Sequence, residues 1–186
     1  MDSNRISIKV ATINNACLYE SLINFLHPTL LKKDLPQKIK DLQIELKNFI
    51  VSNWDTIKFN DMTLGELVLI EHNLIEHYEE VEDYKDLYNE LYELPASAKI
   101  KSFKYGLPIE RWGSIAELVA FSHLYNIGID VFNAYVLNSR GKITARISNN
   151  RLERNAILEK LFTINNNEKK CSLLYKPKQL HFDLIL

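Results

Sequence analysis

The chain has 186 residues, of which 46% are hydrophobic and 25% charged, and its formal net charge at pH 7 is −1. This length predicts a single domain spanning residues 1–186 with a hydrophobic core of its own. The sequence contains no apolar run long enough to cross a bilayer and no dense basic stripe with interleaved aromatic residues. Membrane insertion and nucleic-acid binding are therefore not expected.

The N-terminus and the cysteines bear on the location of the protein. The first five residues lack the basic start and apolar stretch of a secretory signal. This predicts a cytoplasmic protein, or one in the host cytoplasm if the source is a virus or an intracellular microbe. The two cysteines are Cys17 and Cys171. Free thiols are favoured over a disulfide here, and two cysteines without several histidine partners make no structural zinc site.

The first third of the chain predicts one strand and two helices. Residues 6–10 alternate apolar and polar side chains, which indicates a short strand, and a loop over residues 11–16 follows it. Apolar residues then recur at helical spacing over residues 18–26, and Pro28 is expected to end that helix. The next apolar stripe predicts a second helix over residues 35–53.

An acidic segment follows, which we interpret as a helical arm over residues 64–94. Residues 66–93 contain ten acidic residues and one base, a net charge of −9, while the rest of the chain carries +8. Two interpretations stay open: a solvated helix face, and a patch that docks a basic partner. His72 and His77 lie five residues apart, so they face different sides of a helix and predict no metal site.

After a predicted loop over residues 95–111, the pattern changes towards extended structure. Ser114 and Glu117 form a capping-box pattern, which predicts a helix that runs to Tyr125 and is closed by Gly128. Beyond it, residues 129–132 open a strand, residues 138–141 form a turn, and residues 142–148 form the returning strand. The last two strands are predicted over residues 171–175 and 180–186. Residues 156–164 fit either a strand or a helix. Helices first and strands last predict an α+β fold.

Cys17, His181 and Asp183 are the candidate catalytic residues, because a thiol, an imidazole and a carboxylate are the parts of a nucleophilic triad. Cys17 is predicted to begin a helix, where free backbone N–H groups and the helix dipole favour a thiolate and can bind an oxyanion. His181 and Asp183 are two apart in a predicted strand, so they share a face and the carboxylate can orient the imidazole. Taken singly, these patterns also fit a core cysteine and a chance pairing.

Three segments carry motif patterns: residues 14–22 around Cys17, residues 112–122, which begin with Trp-Gly, and residues 181–183, His-Phe-Asp. Together they resemble the motif blocks of the ovarian tumour (OTU) family of deubiquitinating cysteine proteases. Residues 14–22, Asn-Asn-Ala-Cys-Leu-Tyr-Glu-Ser-Leu, resemble the family's catalytic-cysteine motif. Residues 112–122, which begin with Trp-Gly and continue with Glu-Leu and Ala in a predicted helix, resemble its second block. Residues 181–183, His-Phe-Asp, preceded by the strand at 171–175, resemble its C-terminal block. The three blocks occur in the family's order and cover most of the chain.

The resemblance implies a papain-like OTU fold of the α+β class, with a small, mostly antiparallel sheet packed between helices and a helical arm. It implies hydrolysis of the isopeptide bond after the C-terminal Gly-Gly of ubiquitin or a ubiquitin-like modifier, with polyubiquitin chains as further partners. Cys17 would attack, His181 would act as base and then as acid, and Asp183 would orient His181. This scheme needs no metal or other cofactor, and a monomer is expected.

Around the triad, the resemblance implies an oxyanion-binding loop at Asn14, Asn15 and Ala16, and a substrate-tail channel bordered by Trp112 and Gly113. The family commonly has Asp-Gly where this chain has Asn14-Asn15. Two alternatives to an active isopeptidase therefore stay open. One is a catalytically inactive OTU-like domain that only binds ubiquitin, and the other is a viral polyprotein protease of the same fold.

Overall fold

The computed structural model of the chain describes residues 6–12, 16–71, 85–86, 88, 100–101, 108–109, 113–176 and 181–186, with the backbone alone at 100–101 and 108–109. The helices whose bounds it describes are α1 (Cys17–Leu26), α2 (Leu35–Ser52), α3 (Leu64–Glu71) and α4 (Ile115–Tyr125). None of the helices described is long and apolar enough to span a membrane.

The first two helices follow the periodicity of the sequence. α1 ends at the C-cap residue His27, because Pro28 cannot continue a helix. α2 has a proline in its first turn, where the missing N–H costs nothing. One stripe of α2 is buried against the other helices, at Ile39, Leu42, Leu46 and Ile50. The helices predicted over residues 18–26 and 35–53 are thus confirmed to within one residue.

The main sheet contains six strands: β1 (Ile8–Lys9), β6 (Gly128–Asn138), β7 (Gly141–Thr144), β10 (Ile157–Ile164), β11 (Lys170–Lys176) and β12 (His181–Ile185). Their order is β1-β12-β11-β6-β10, with β7 also paired to β6. All the pairs are antiparallel except β11 with β6, which is parallel. The α+β class and the mostly antiparallel sheet are therefore confirmed, and residues 156–164 resolve as a strand.

The two faces of the sheet bury different clusters. The larger cluster lies between the sheet and the helices and joins Leu18 and Leu22 of α1 to Leu173 of β11 and Leu184 of β12. The smaller cluster lies on the other side, where the buried residues are Ile8, Ala134, Leu152 and Leu174. Because α1 is anchored in the larger cluster beside β12, the front and the tail of the chain meet at this side of the sheet.

Short hairpins occupy positions where the sequence pattern predicted a loop or a longer strand. β4 (Ile100–Lys101) pairs with β5 (Pro108–Ile109) inside the predicted loop at 95–111. The strand predicted over 142–148 is divided into β7 and β8 (Ile147–Ser148), and β8 turns back into β9 (Arg151–Leu152). These two predictions are wrong in detail, because two-residue ladders are too short for an alternation pattern to reveal.

A further hairpin, β2 (Lys58–Phe59) with β3 (Met62–Thr63), was not predicted. Its turn residues Asn60 and Asp61 have φ of 50° and 66°. Positive φ at both central positions is what a tight primed hairpin turn requires, and Asn and Asp tolerate it better than other residues with a Cβ. The Asn-Asp pair was therefore the signal in the sequence.

The capping box of α4 is confirmed: Ser114 and Glu117 bond each other's backbone N–H groups. The prediction that Gly128 closes this helix is wrong. Asn126 takes the left-handed C-cap position with φ 53°, and its N–H bonds the Ser122 carbonyl. Gly128 instead begins β6, where an added Cβ would lie 3.0 Å from the carbonyl oxygen of Asn165. Its small size permits close backbone approach.

The described end of the acidic segment is used for helix capping. Glu66 and Thr63 form a capping box at the start of α3, with the Glu66 N–H donating to Thr63 Oγ1 at 3.1 Å. Glu71 Oε1 accepts the N–H of Ile115 at 2.5 Å and lies 3.4 Å from that of Ala116, so it caps α4. These two carboxylates have structural roles. Most of the predicted arm at 64–94 lies outside the described residues.

Candidate active site

α1 brings the Cys17 thiol to the open edge of β12. The ladder between β1 and β12 contains only Ile8 with Ile185 and Lys9 with Leu184, so it stops before Phe182. The Phe182 N–H donates to Cys17 Sγ instead, at 3.4 Å. Because Phe182 directly follows His181, the thiol lies beside the strand that carries the imidazole.

Ser21 completes the contact between α1 and β12. Its hydroxyl donates to the Phe182 carbonyl at 3.2 Å. Cys17 and Ser21 are four residues apart, so they lie on the same face of α1. Together they hold the N–H and the C=O of one strand residue, while the Phe182 ring is buried on the helix side against Tyr175, with ring centroids 4.9 Å apart. This arrangement fixes the position of the thiol along β12.

His181 and Asp183 contact each other directly, as their spacing of two in a strand predicts. His181 Nε2 lies 2.8 Å from Asp183 Oδ1. An ionised carboxylate can only accept, so we assign the hydrogen to Nε2, which leaves the Nδ1 lone pair free to act as a base. The His181 side chain is 24% exposed and that of Asp183 is fully buried. The imidazole is thus oriented from the protein side and accessible from the solvent side.

Asp183 contacts two further groups besides His181. Its Oδ1 accepts the backbone N–H of Ala11 at 3.0 Å, and its Oδ2 lies 2.5 Å from the ammonium group of Lys176. Ala11 begins the predicted loop before Cys17. The same carboxylate therefore bonds the imidazole and the backbone N–H of Ala11, in the segment that leads to Cys17.

Glu20 contacts the described residues on both sides of that loop, Thr12 and Ala16. Its carboxylate accepts the Thr12 N–H at 2.7 Å and the Thr12 hydroxyl at 3.3 Å. The Glu20 N–H donates to the carbonyl of Ala16, the N-cap residue of α1, at 2.8 Å. Asn14 and Asn15 lie outside the described residues, so their oxyanion role stays a prediction. The described residues nearest to them, Thr12 and Ala16, both form hydrogen bonds with Glu20 of α1.

The ionisation of Cys17 differs from the expectation for a cysteine at the start of a helix. Burial raises the pKa of the Cys17 thiol above its ordinary value of 9.0, and the Asp183 charge raises it further. Hydrogen bonds from the N–H groups of Phe182, Leu18 and Cys17 itself act in the opposite direction but do not outweigh burial. The N–H groups therefore favour the thiolate, but the loss of hydration outweighs them and leaves the pKa of Cys17 raised.

Gly113 lies against α1, the helix that begins with Cys17. A Cβ at this position would lie 2.6 Å from Leu18 Cδ2 and 3.1 Å from Tyr19 Cε2. Leu18 and Tyr19 directly follow Cys17, so a side chain at position 113 would press on the first turn of α1, where Leu18 Cβ would lie 3.0 Å from it. Trp112 lies outside the described residues. The position of Trp112 and Gly113 along a substrate-tail channel stays a prediction.

Cys171 has the properties of a structural residue. It is a free thiol, fully buried in β11, and burial raises its pKa to about 12. Among the residues that the structure describes, no group of three or more His, Cys, Asp or Glu side chains is arranged to hold a metal ion. His72 and His77 are not among them.

Several residues that shape the site were not predicted from the sequence, among them Ala11, Ser21, Glu20 and Lys176. Ser21 could have been found from its spacing of four from Cys17. Lys176 was assigned to the connection between the last two strands, although the structure places it in β11, opposite His181. The register of the hairpin formed by β11 and β12 would have been needed to find Lys176. Ala11 acts through its backbone N–H, which leaves no signal in the sequence.

No family model matches the chain, and no curated protein matches it. Several solved structures do match the chain. The viral OTU domain protease from Taggert virus aligns with a TM-score of 0.51 at 12% identity, covering 98% of this chain and 80% of that chain. The viral OTU domain protease from Farallon virus aligns with a TM-score of 0.51 at 13% identity, covering 98% and 85%. The chain therefore has the OTU fold, as the resemblance implied.

Proposed function

We propose that this protein is a thiol isopeptidase that hydrolyses the bond after the C-terminal Gly-Gly of ubiquitin or a ubiquitin-like modifier. One observation carries the proposal. Cys17 Sγ lies 3.4 Å from the N–H of the residue after His181, and His181 bonds the buried Asp183 at 2.8 Å. The three motif blocks support it, and so does the OTU fold, because both viral neighbours are described as proteases.

The first step begins from a protonated thiol. As Cys17 Sγ attacks the carbonyl carbon of the terminal glycine, His181 Nδ1 takes the thiol proton. The Phe182 N–H, already donating to the sulfur, stabilises the negative charge that develops there. Asp183 holds Nε2–H and stabilises the imidazolium. Because burial opposes a free thiolate, proton transfer and attack are coupled in this scheme.

The second step releases the amine. The imidazolium gives its proton to the leaving lysine nitrogen, the C–N bond breaks, and the modifier remains on Cys17 as a thioester. Water then attacks the thioester with His181 again acting as base, which frees the modifier's carboxylate and restores the thiol. Backbone N–H groups at the start of α1, which have no partner within the helix, would bind the oxyanion in both steps.

The test is cleavage of the eight di-ubiquitin linkages by the wild-type protein and by Cys17→Ala. Cys171→Ala is the matched control, because it removes the other thiol from a buried position in β11. We expect cleavage of at least one linkage by wild type and Cys171→Ala and none by Cys17→Ala. Cleavage by Cys17→Ala would contradict the proposal. Cleavage of peptides but of no ubiquitin substrate would favour a polyprotein protease.

A second candidate is an OTU-like domain that binds ubiquitin without cleaving it. Two observations favour it: the raised pKa of the Cys17 thiol, and Asn14-Asn15 in place of the family's usual Asp-Gly. The intact Cys17, His181 and Asp183 favour the enzyme. Saturable binding of ubiquitin, with no cleavage of any linkage after prolonged incubation, would establish the binding domain instead.

A further inference from the structure

Among the described residues, Lys176 is the lysine or arginine whose ammonium or guanidinium group pairs with the Asp183 carboxylate. The Asp183 side chain is completely buried, at 0% exposure. Oδ1 has the His181 and Ala11 hydrogen bonds, whereas Oδ2 accepts no aligned hydrogen bond within the described residues. Oδ2 lies 2.5 Å from Lys176 Nζ. The Lys176 ammonium group is therefore the charged partner of Oδ2, and it compensates the carboxylate by its charge.

The register of the last hairpin places Lys176 beside the base. Lys176 pairs with His181 across β11 and β12, and Leu174 pairs with Asp183. Directly paired residues point to the same face of a sheet, so Lys176, His181 and Asp183 form a row on one face. The Lys176 side chain is only 21% exposed, which means that its stem is packed while its ammonium group reaches inwards.

An ionised carboxylate without solvent exposure costs free energy of folding unless a nearby charge and hydrogen bonds replace its hydration. Without Lys176, Asp183 would be relieved of that cost by taking up a proton. A protonated carboxyl can donate as well as accept, so it would no longer require the hydrogen on His181 Nε2. Nδ1 would then be occupied by hydrogen part of the time and unable to act as the base. The titratable groups that interact with Asp183 within the described residues include His181, Lys176 and Cys17, and the Glu20 carboxylate holds Thr12, next to the Ala11 that bonds Asp183.

We propose that Lys176 is a positioning residue of the catalytic site, which keeps Asp183 ionised so that Asp183 holds His181 in the tautomer with a free Nδ1. The proposal rests on the proposed thiol-isopeptidase function. It extends the triad by one residue on the neighbouring strand, and it requires Lys176 to act only through Asp183.

The experiment compares kcat and KM on a fluorogenic ubiquitin C-terminal amide for four variants: Lys176→Met, Lys176→Arg, Asp183→Asn and the double variant Lys176→Met/Asp183→Asn. Lys176→Met should lower kcat by about 10-fold to 100-fold with KM nearly unchanged, because one part of general-base catalysis is lost. Lys176→Arg keeps the charge and should restore most of the activity. The double variant should equal Asp183→Asn within about 2-fold, because both changes act at one carboxylate.

The pH–rate profile separates this role from simple stabilisation. In Lys176→Met, the acid limb of kcat should move to higher pH, because a buried carboxylate without its countercharge is protonated more readily. Lys160→Met is the matched control, since it removes an ammonium group 2.9 Å from Asp130 in the same sheet, away from the triad. Two results would overturn the proposal. One is that Lys176→Met and Lys160→Met change kcat and its pH profile equally. The other is that the loss of kcat in Lys176→Met/Asp183→Asn equals the product of the losses in Lys176→Met and Asp183→Asn.

A measurement without substrate distinguishes failure of this proposal from failure of the proposed function. Imidazole nitrogen chemical shifts report the tautomer of His181 by NMR. In wild type they should show hydrogen on Nε2, and in Lys176→Met a mixture of both tautomers. This result would support the role of Lys176 even if no ubiquitin substrate is cleaved. An unchanged tautomer in Lys176→Met would overturn that role, whatever the activity.

Discussion

Substitution of Glu71 by glutamine should make the protein more stable at alkaline pH. Burial and the neighbouring Glu117 charge raise the pKa of Glu71 from 4.5 to about 8, against the effect of the Ile115 and Ala116 N–H groups that it caps. Protonated Glu71 is therefore the form that the fold prefers near neutral pH. A glutamine side chain would copy that form, because its amide oxygen can accept the same N–H groups while carrying no charge at any pH.

The magnitude follows from the two pKa values. In the unfolded chain Glu71 ionises near 4.5 and in the folded chain near 8, so its favourable contribution is complete below pH 4.5 and is lost as the pH rises to about 8. The whole difference corresponds to a ceiling of about 5 kcal/mol. Because Glu71 is only half-buried by its accessible surface, solvent screens part of this cost. We expect Glu71→Gln to gain about 1–3 kcal/mol above pH 8.

Urea unfolding at pH 5, 7 and 9, followed by tryptophan fluorescence, measures this gain. Trp54 is almost completely buried and should report unfolding of the helical side of the core. The advantage of Glu71→Gln should be small at pH 5 and should grow with pH. Glu159→Gln is the control, because Glu159 forms an exposed ion pair with Lys142 and should change stability little. An advantage that is independent of pH, or a loss at pH 9, would refute the reasoning.

Two further predictions concern the nucleophile. Gly113→Ala should destabilise the protein by about 1–3 kcal/mol and lower kcat, because the added Cβ would lie 2.6 Å from Leu18 Cδ2, next to Cys17. Thermal unfolding and steady-state kinetics measure the two effects. A variant with the stability and kcat of the wild type would contradict this prediction. In a Cys171→Ala background, alkylation of Cys17 by iodoacetamide should increase with pH through a midpoint above the ordinary thiol value, because burial and Asp183 disfavour the thiolate. Asp183→Asn should lower that midpoint. A midpoint well below the ordinary value would instead indicate an activated thiolate.

Local patterns in the sequence predicted the elements that hold the candidate triad. Helical spacing and Pro28 located α1, and the capping box located the start of α4. The spacing of two predicted that His181 and Asp183 share a face, and their 2.8 Å contact agrees. These features depend on residues close together in the chain, so a periodic pattern is sufficient to find them.

Features that depend on tertiary contacts could not be predicted in this way. The raised pKa of Cys17 follows mainly from burial of the thiol, which no local pattern reports. Lys176 was missed because the strand register, not the residue type, places it opposite His181. Asn126 rather than Gly128 closes α4, because Gly128 is needed for a close approach to another loop. In each case a distant segment determines the role of the residue.

The most direct test is the site of adduct formation with a ubiquitin probe that carries a C-terminal electrophile. Intact mass and peptide mapping would show whether the chain is labelled once and at which residue. The proposed thiol isopeptidase predicts one adduct, on Cys17, which is lost in His181→Ala and retained in Cys171→Ala. Labelling at another residue, or equal labelling of wild type and His181→Ala, would contradict the account of a thiol activated by that imidazole.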